Sequence, residues 1–332
     1  MTARRVVAFG GGHGLSASLR ALRHCAPELD LDITAVVTVG DDGGSSGRLR
    51  AERGGLPPGD LRQALVALAG DHPATRRSAG LFQHRFATVP ADAACADTVA
   101  DSADGLAGHA VGNLVLCGLM ELLGDPVAAL EHAGAMLGAV GRVLPMSRQP
   151  VDIEARVRGA DPAAPDEVRT VRGQHQVAVT TGRVESLRLT PAAPPACAEA
   201  LAAIRAADWL IFGPGSWYTS VLPHLLVPQL ADAIVSSSAR RLVTLNLAAE
   251  KETLGLSVAD HLAALRWYLP ELKVDLVLAD AKAVGDPEPV ERAAESLGAR
   301  LVLAPVAVTD GTPRHDPAVL GAALVPVLGS DR

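Results

Sequence analysis

A glycine-rich segment near the N-terminus, residues 10–14 (Gly-Gly-Gly-His-Gly), has the composition of a phosphate-binding loop. Glycines let several backbone N–H groups point at one anion, and a helix that starts there adds the partial positive charge of its N-terminus. The segment lacks the Lys-Ser/Thr pair of a P-loop, and Ser16 stands where a dehydrogenase fingerprint would have a further glycine. The pattern predicts a phosphate or diphosphate site at Gly11, Gly12 and His13; the alternative is a tight turn without a ligand.

An acidic pair begins a second polar segment, residues 41–48 (Asp-Asp-Gly-Gly-Ser-Ser-Gly-Arg), which follows a strand-like run. Asp41 and Asp42 could accept hydrogen bonds from ribose or sugar hydroxyls, or could hold a divalent cation that bridges phosphates. Ser45 and Arg48 could donate hydrogen bonds to an anion. The alternative is a flexible polar loop.

His109 and Asn113 stand at the predicted start of an apolar helix, residues 114–123. A neutral imidazole and a carboxamide at that place could contact a base or a phosphate. His109 could equally cap the helix or pack against it, so the spacing leaves both interpretations open.

A second glycine segment, residues 213–220 (Gly-Pro-Gly-Ser-Trp-Tyr-Thr-Ser), follows another buried strand. Gly213 and Gly215 permit a close approach of the backbone to a ligand. Ser216 and Tyr218 supply hydroxyl groups. The alternative is a hydroxyl-rich turn that caps the following helix.

Further polar residues follow the next strand and could close the same crevice: Asn246, Glu250, Glu252, Thr253, Asp260 and His261. The last two could equally cap a helix. The spacing shows no Ser-His-Asp or Cys-His arrangement and no two-His zinc pair, so no catalytic residue is assigned and the identity of any metal ligand stays open.

The elements that must position these segments alternate between strands and helices. Residues 4–9 and 33–39 read as buried strands and residues 15–24 as the helix between them. Strands joined in this way are parallel, and ligands bind at their carboxyl ends. The sequence therefore predicts an α/β fold: a Rossmann-like, doubly wound, mostly parallel sheet with a small β-rich insertion.

The rest of the chain fits one large domain with that insertion. Residues 41–53 are predicted as a polar loop, Asp60 as the cap of a helix that starts at 57–60, and residues 76–138 as mostly helical. Short strands are predicted at 143–144, 151–157, 168–171, 177–180 and 184–189, and the α/β alternation resumes with strands at 209–212, 242–245, 274–278 and 301–306. We assign residues 1–141 and 197–332 to a nucleotide-binding α/β domain and 142–196 to the insertion.

Composition excludes several classes of protein. The net charge of −7 and an aromatic content of 3% argue against nucleic-acid binding, which needs a basic face and stacking surfaces. No apolar run is long enough to cross a bilayer and no secretion signal is evident, so we expect a cytoplasmic protein. The cysteines show no metal-ligand spacing and are expected to be reduced packing residues: Cys25, Cys95, Cys117 and Cys197.

Taken in order, these segments resemble the gluconeogenesis factor family, which is related to the 2-phospho-L-lactate transferases of deazaflavin coenzyme synthesis. The resemblance spans about residues 5 to 280 and is carried by residues 10–16, 36–50, 57–62, 81–86, 108–114, 213–220 and 260–261. The Asp-Asp-Gly-Gly-Ser-Ser-Gly run at 41–47 is its most specific part.

The resemblance implies a Rossmann-like fold that binds uridine-diphosphate (UDP) sugars and acts in carbon-source-dependent cell shape and cell-wall (peptidoglycan) building, with no turnover firmly attached. The transferase branch uses a guanosine-diphosphate-linked donor with a divalent metal. By resemblance and position, the candidate ligand contacts are Gly11, Gly12, His13, Asp41, Asp42, Ser45, Arg48, Arg62, Asn113, Gly213, Gly215, Ser216 and Tyr218.

The sequence departs from the family pattern at several positions. His13 replaces the usual Thr, Gln63 the usual Asn, and Trp217 a common aliphatic residue. Residues 248–253 (Ala-Ala-Glu-Lys-Glu-Thr) keep only the end of a Met-Thr-Gln-Pro-Gly-Glu-Thr-like stretch. Ligand choice could therefore differ from that of the family.

Three functional hypotheses follow. The first is a non-catalytic sensor of a UDP-sugar, with Mg²⁺ as a further ligand and with cell-wall enzymes or a regulatory kinase as protein partners. The second is a metal-dependent transferase resembling the 2-phospho-L-lactate transferases, with Asp41 and Asp42 holding the metal. The third, a nicotinamide-dependent oxidoreductase, is disfavoured by the glycine spacing. A homo-oligomer is expected because closed dimers are the commonest assemblies.

Overall fold

Ten strands form two sheets in the computed structural model, which describes residues 3–87, 105–161 and 163–330. The large sheet holds β1 (Arg4–Gly10), β2 (Leu31–Val37), β3 (Gly141–Pro145), β7 (Trp209–Phe212), β8 (Arg240–Thr244), β9 (Leu276–Asp280) and β10 (Arg300–Ala304). The small antiparallel sheet holds β4 (Asp152–Arg158), β5 (Val168–Arg172) and β6 (Arg183–Thr190), in the order β5-β4-β6.

All neighbouring strands of the large sheet run parallel, in the order β10-β9-β8-β7-β1-β2-β3. The chain order reverses between β1 and β7, because β1 pairs with β2 on one side and with β7 on the other. In a doubly wound sheet such a reversal opens a crevice beyond the carboxyl ends of the two strands. The segments after β1 and β7 must therefore flank the same crevice, as the Rossmann-like prediction requires.

The described ranges hold fourteen α-helices, of which α7 joins two strands of the small sheet. Their bounds are α1 (Gly12–Leu29), α2 (Gly44–Arg53), α3 (Pro58–Leu68), α4 (Pro73–Gln83), α5 (Val111–Leu123), α6 (Pro126–Met136), α7 (Gln174–Val179), α8 (Ala198–Ala206), α9 (Leu222–Leu225), α10 (Pro228–Ser236), α11 (Val258–Tyr268), α12 (Ala281–Val284), α13 (Glu288–Ser296) and α14 (Pro317–Gly329). None of them is both long and apolar enough to span a membrane.

The core lies where β1 and β7 meet. Residues 6–9 and 209–212 are almost fully buried and apolar, as expected of parallel strands covered on both faces. The rings of Phe9 and Phe212 stack with their centroids 4.8 Å apart. His224 packs edge-on against Phe9, and burial lowers the pKa of His224 to about 4. This rigid centre carries both glycine segments.

Three local predictions were wrong. Residues 44–53, expected to be a loop, form α2, and residues 177–180, expected to be a strand, belong to α7 and its C-cap. The run around Val143, which we assigned to the insertion, forms β3 and pairs with β2 at the edge of the large sheet, so the small sheet begins at β4. β3 belongs to the large sheet because it pairs with β2, and the local sequence around Val143 does not show which strand it pairs with.

The thiols that the structure describes are free. Cys25 and Cys197 are buried and Cys117 is half-buried. Burial raises the pKa of Cys25 to about 12, as expected of a packing residue. Cys95 lies outside the described residues.

Candidate functional site

The two glycine segments touch at the crevice. Helix α1 starts at Gly12 with Gly11 as its N-cap. A Cβ atom added at Gly14 would lie 2.5 Å from the Cα atom of Gly215, so only glycine lets the start of α1 approach the segment after β7 this closely. The contact joins residues 10–14 and 213–220 into one wall.

A buried carboxyl group, that of Asp60, lines the crevice next to this wall. Asp60 is only 6% exposed and accepts a hydrogen bond of 3.0 Å from the Thr38 hydroxyl. Gly11 packs against both side chains, with no room for a Cβ atom. Burial, reinforced by the nearby Asp41, raises the pKa of Asp60 to about 7. The predicted capping role of Asp60 is wrong: Pro57 is the N-cap of α3 and no side chain caps that helix.

The two adjacent carboxylates diverge. Asp41 lines the crevice, accepts a 3.0 Å hydrogen bond from the Gly43 backbone, and has its pKa raised by burial. Asp42 points to the insertion, where it accepts a 2.8 Å hydrogen bond from the backbone N–H of His175 and packs against Gly173. Asp41 therefore faces the ligand side, whereas Asp42 holds α7 in place.

Ser45 lies in a buried network instead of the crevice. Its hydroxyl is 2.9 Å from Nδ1 of His109 and accepts a 3.0 Å hydrogen bond from the Asn113 amide. The Asn113 carbonyl oxygen accepts a 2.8 Å hydrogen bond from Nε of Arg62, and Nη1 of Arg62 donates to Gln83. The network fixes the Arg62 guanidinium at the crevice, and burial lowers the pKa of His109.

The residues after β8 hold the second glycine segment. The Asn246 side chain accepts a hydrogen bond from the Gly215 N–H at 2.8 Å and donates one to the Gly215 carbonyl at 2.9 Å. Ser216 donates to Glu250, and the backbone N–H of Tyr218 donates to Glu252 at 2.8 Å. A π-helical turn, Trp217–Val221, follows.

The remaining acidic and imidazole groups of this region lie behind the second glycine segment. Burial raises the pKa of Glu252 to about 7. His261 packs edge-on against Trp217 with ring centroids 5.3 Å apart. Asp260 forms a capping box with Ser257 at the start of α11, so the capping alternative for Asp260 is confirmed.

The crevice encloses about 1010 Å³ and is polar. Of the predicted ligand contacts it is lined by Gly11, Gly12, His13, Asp41, Arg62, Gly215 and Ser216. The structure places the others behind or beside it: Asp42, Ser45, Arg48, Asn113, Gly213 and Tyr218. Among these, Arg48 donates to the Ala107 carbonyl at 2.6 Å.

Several lining residues were not predicted: Asp60 as a site residue, Gln83, Arg85, Gln174, His175, Arg314 and His315. The first three lie in residues 57–62 and 81–86. These segments carry the family resemblance, and that resemblance could have marked the three residues as part of the site. Gln174 and His175 begin α7, whose later part was predicted as a strand at residues 177–180. Arg314 and His315 follow β10 in a segment without a glycine motif, so nothing local marked them.

No cluster of three or more His, Cys, Asp or Glu side chains suited to a metal occurs in the described ranges. The carboxylate of Asp41 is close enough to Asp60 to contribute to the raised pKa of Asp60. One or two carboxylates together with phosphate oxygens suffice for Mg²⁺. These two side chains therefore fit a cation shared with a bound phosphate, whereas Asp42 does not.

Comparison with known proteins gives consistent matches over the chain. The family model described as 2-phospho-L-lactate transferase CofD matches residues 6–302. The "Putative gluconeogenesis factor" of Mycobacterium tuberculosis (strain ATCC 25618 / H37Rv) is 48% identical over 330 residues, covering 98% of this chain and 91% of that protein. The "Gluconeogenesis factor" of Bacillus subtilis (strain 168) is 35% identical over 299 residues, covering 90% of this chain and 84% of that protein.

A solved structure has the same fold over nearly the whole chain. The crystal structure of a UPF0052 family protein from Bacillus halodurans superposes with a TM-score of 0.81 at 33% sequence identity. The match covers 98% of this chain and 99% of that one.

Proposed function

The chain belongs to the gluconeogenesis factor family, and from that premise we propose that its crevice binds a UDP-sugar and that the protein is a non-catalytic regulator. The observation that carries the proposal is the contact between Gly14 and Gly215, which brings two glycine segments together at the reversal point of the sheet. Backbone N–H groups at such a point suit a diphosphate. The crevice volume of about 1010 Å³ accommodates a nucleotide-sugar.

The polar side chains of the crevice support a binding role more than a catalytic one. Ser216 donates a hydrogen bond to Glu250, and His109 is engaged by Ser45 away from the crevice. The pair of Ser45 and His109 does not line the crevice. Ser216 and Glu250 both line it, and we assign their hydrogen bond the role of holding the second glycine segment in place. We also propose that the protein acts in the cytoplasm. There, binding of the ligand would be signalled to cell-wall enzymes during gluconeogenic growth.

Calorimetric titration of the purified chain tests the proposal. The ligands are UDP-N-acetylglucosamine, UDP-glucose, GDP and NAD, each with and without magnesium. We expect uridine-selective binding that weakens at least about tenfold in Asp41→Asn, a loss of about 1.4 kcal/mol. Asp232→Asn, on the exposed side of α10, is the matched control. Binding of none of the four ligands would refute the proposal.

A transferase is the second candidate, since the matching family model is that of 2-phospho-L-lactate transferase CofD. The specific observation in its favour is the proximity of Asp41 and Asp60, which suits a divalent cation that would neutralise phosphate charge. Selective, magnesium-dependent binding of GDP in the same titrations would favour this candidate over the first.

A further inference from the structure

Arg62 presents a buried guanidinium group to the crevice without a carboxylate partner. Its side chain is only 3% exposed. Nε and Nη1 donate to the side-chain carbonyl oxygens of Asn113 and Gln83, which are neutral. In the described ranges Arg62 forms no ion pair. The amides fix the direction of the positive charge but do not neutralise it, and a buried charge without an ion-pair partner among the described residues favours binding of an anion.

Arg85 adds a second cation at the same place. It lines the crevice with Arg62 and Gln83, and its Nη1 donates to the Gly108 carbonyl at 2.9 Å, again a neutral partner. Burial and then the nearby Arg85 lower the pKa of Arg62 to about 10; Asp60 and Asp41 act in the opposite direction with smaller effect. Two guanidinium groups that repel each other across a polar crevice gain from a shared anion.

The two arginines lie at the end of the crevice opposite its apolar end. Arg62 belongs to α3, which packs on β2 and β3, on one side of β1. Most of the apolar lining follows β8 and β10 on the other side: Leu247, Ala248, Ala249, Val308, Pro313 and Pro317. Arg314 also lines the crevice there, but it is paired with Asp310. A nucleobase suits the apolar end. With the diphosphate at the glycine wall between them, the sugar then lies at the arginine end.

We propose that Arg62 and Arg85 form a subsite for a second anionic group, a carboxylate or a phosphate on the sugar, so that the crevice prefers acidic nucleotide-sugars over neutral ones. This inference rests on the proposed function, because it takes the diphosphate to lie at the glycine wall. A charge-assisted hydrogen bond contributes about 1.5–3 kcal/mol, so the acidic member of a matched ligand pair should bind at least about tenfold tighter.

Calorimetry on the full chain at pH 8 compares UDP, UDP-glucose with UDP-glucuronic acid, and UDP-N-acetylglucosamine with UDP-N-acetylmuramic acid. In the first pair a carboxylate replaces a hydroxymethyl group, and in the second a lactyl ether that carries a carboxylate is added. Inorganic phosphate, added as a competitor, tells the two anion classes apart: if it weakens binding of the acidic ligands only, the subsite accepts phosphate, and if it has no effect, the subsite is restricted to carboxylates.

Arg85→Gln is the test variant, because Arg85 is exposed and its replacement should not disturb folding, which thermal unfolding will verify. In this variant we expect the affinity for the acidic ligand of each pair to exceed that for the neutral ligand by less than about threefold. Arg77→Gln removes an equally exposed charge from α4 and should keep the ratio.

Equal affinities within both pairs, or a ratio that Arg85→Gln does not change, would overturn the inference while the proposed function stands. If Arg85→Gln weakens UDP itself by the same factor, the arginines bind the diphosphate and the inference is likewise overturned. If UDP does not bind at all, the proposed function fails and this inference fails with it.

Discussion

Gly14 at the start of α1 and Gly215 in the segment after β7 are in direct backbone contact, so residue 14 has to be a glycine. A methyl group at residue 14 would lie 2.5 Å from the Gly215 Cα atom and would also collide with the Pro214 carbonyl. These neighbours are backbone atoms that cannot rotate away.

Gly14→Ala should therefore force the two segments apart. We expect a loss of stability of about 1–3 kcal/mol and a large loss of nucleotide-sugar affinity. Chemical denaturation and calorimetry measure the two effects. Gly80→Ala is the control, since a Cβ atom there meets nothing within 4 Å and the residue lies inside α4, where alanine should stabilise by about 0.5–1 kcal/mol. Equal effects of the two substitutions would contradict the contact.

The raised pKa of Asp60 predicts a pH-dependent stability. The folded chain holds the Asp60 proton up to about pH 7, whereas the unfolded chain releases it near pH 4. The folded state therefore binds more protons between these values, and stability falls as pH rises through that window.

Asp60→Asn removes this titration. Between pH 5 and pH 8 the free energy of unfolding of the wild type should fall by at least about 1 kcal/mol more than that of the variant, as measured by urea unfolding at both pH values. Some slope remains in the variant, because burial also raises the pKa of Asp41. The control Asp232→Asn should show the same dependence of unfolding free energy on pH as the wild type. If Asp60→Asn also showed the wild-type dependence, Asp60 would be ionised over the whole range and the prediction would be wrong.

Asp42→Ala separates the roles of the acidic pair. Asp42 accepts a hydrogen bond from the His175 N–H at the start of α7, so its loss should loosen the insertion. We expect hydrogen exchange of the His175 amide to accelerate at least about tenfold, with a smaller change in ligand affinity than Asp41→Asn causes. A larger loss of affinity in Asp42→Ala than in Asp41→Asn would reverse this assignment.

Asn246→Ala tests the support of the second glycine segment. The substitution leaves the N–H and the carbonyl of Gly215 without their partners. We expect a loss of about 1–3 kcal/mol in the free energy of unfolding and weaker binding of UDP-sugars. Unchanged affinity despite lower stability would mean that the segment holds its shape without Asn246.

The sequence was sufficient to predict the fold class and the place of the crevice. Short buried runs such as residues 209–212 have one stable arrangement in a chain of alternating strands and helices, and glycines after two of them mark the reversal point. Segments with weak periodicity were misread: residues 44–53 form a helix although they are rich in glycine and serine.

Which polar residues face the crevice was only partly predictable. Asp41 and Asp42 are adjacent and chemically identical, yet one faces the crevice and the other faces α7. Their directions depend on the insertion, whose docking is a tertiary contact. Ser45 and Asn113 were each predicted as ligand contacts, whereas in the structure they bond to each other and Asn113 positions Arg62 from behind. Side-chain direction of this kind is set by packing partners far along the chain.

The pairing of Val6 with Trp209 also bears on the order in which the protein is made. Synthesis runs from the N-terminus, so the first glycine segment leaves the ribosome long before the segment that completes its wall. Until β7 has emerged, β1 lacks the neighbour that it has in the finished sheet, and residues 10–14 face no partner. The wall of the crevice is consequently complete only in chains that extend beyond residue 220, and a translation product truncated before β7 would lack one side of it.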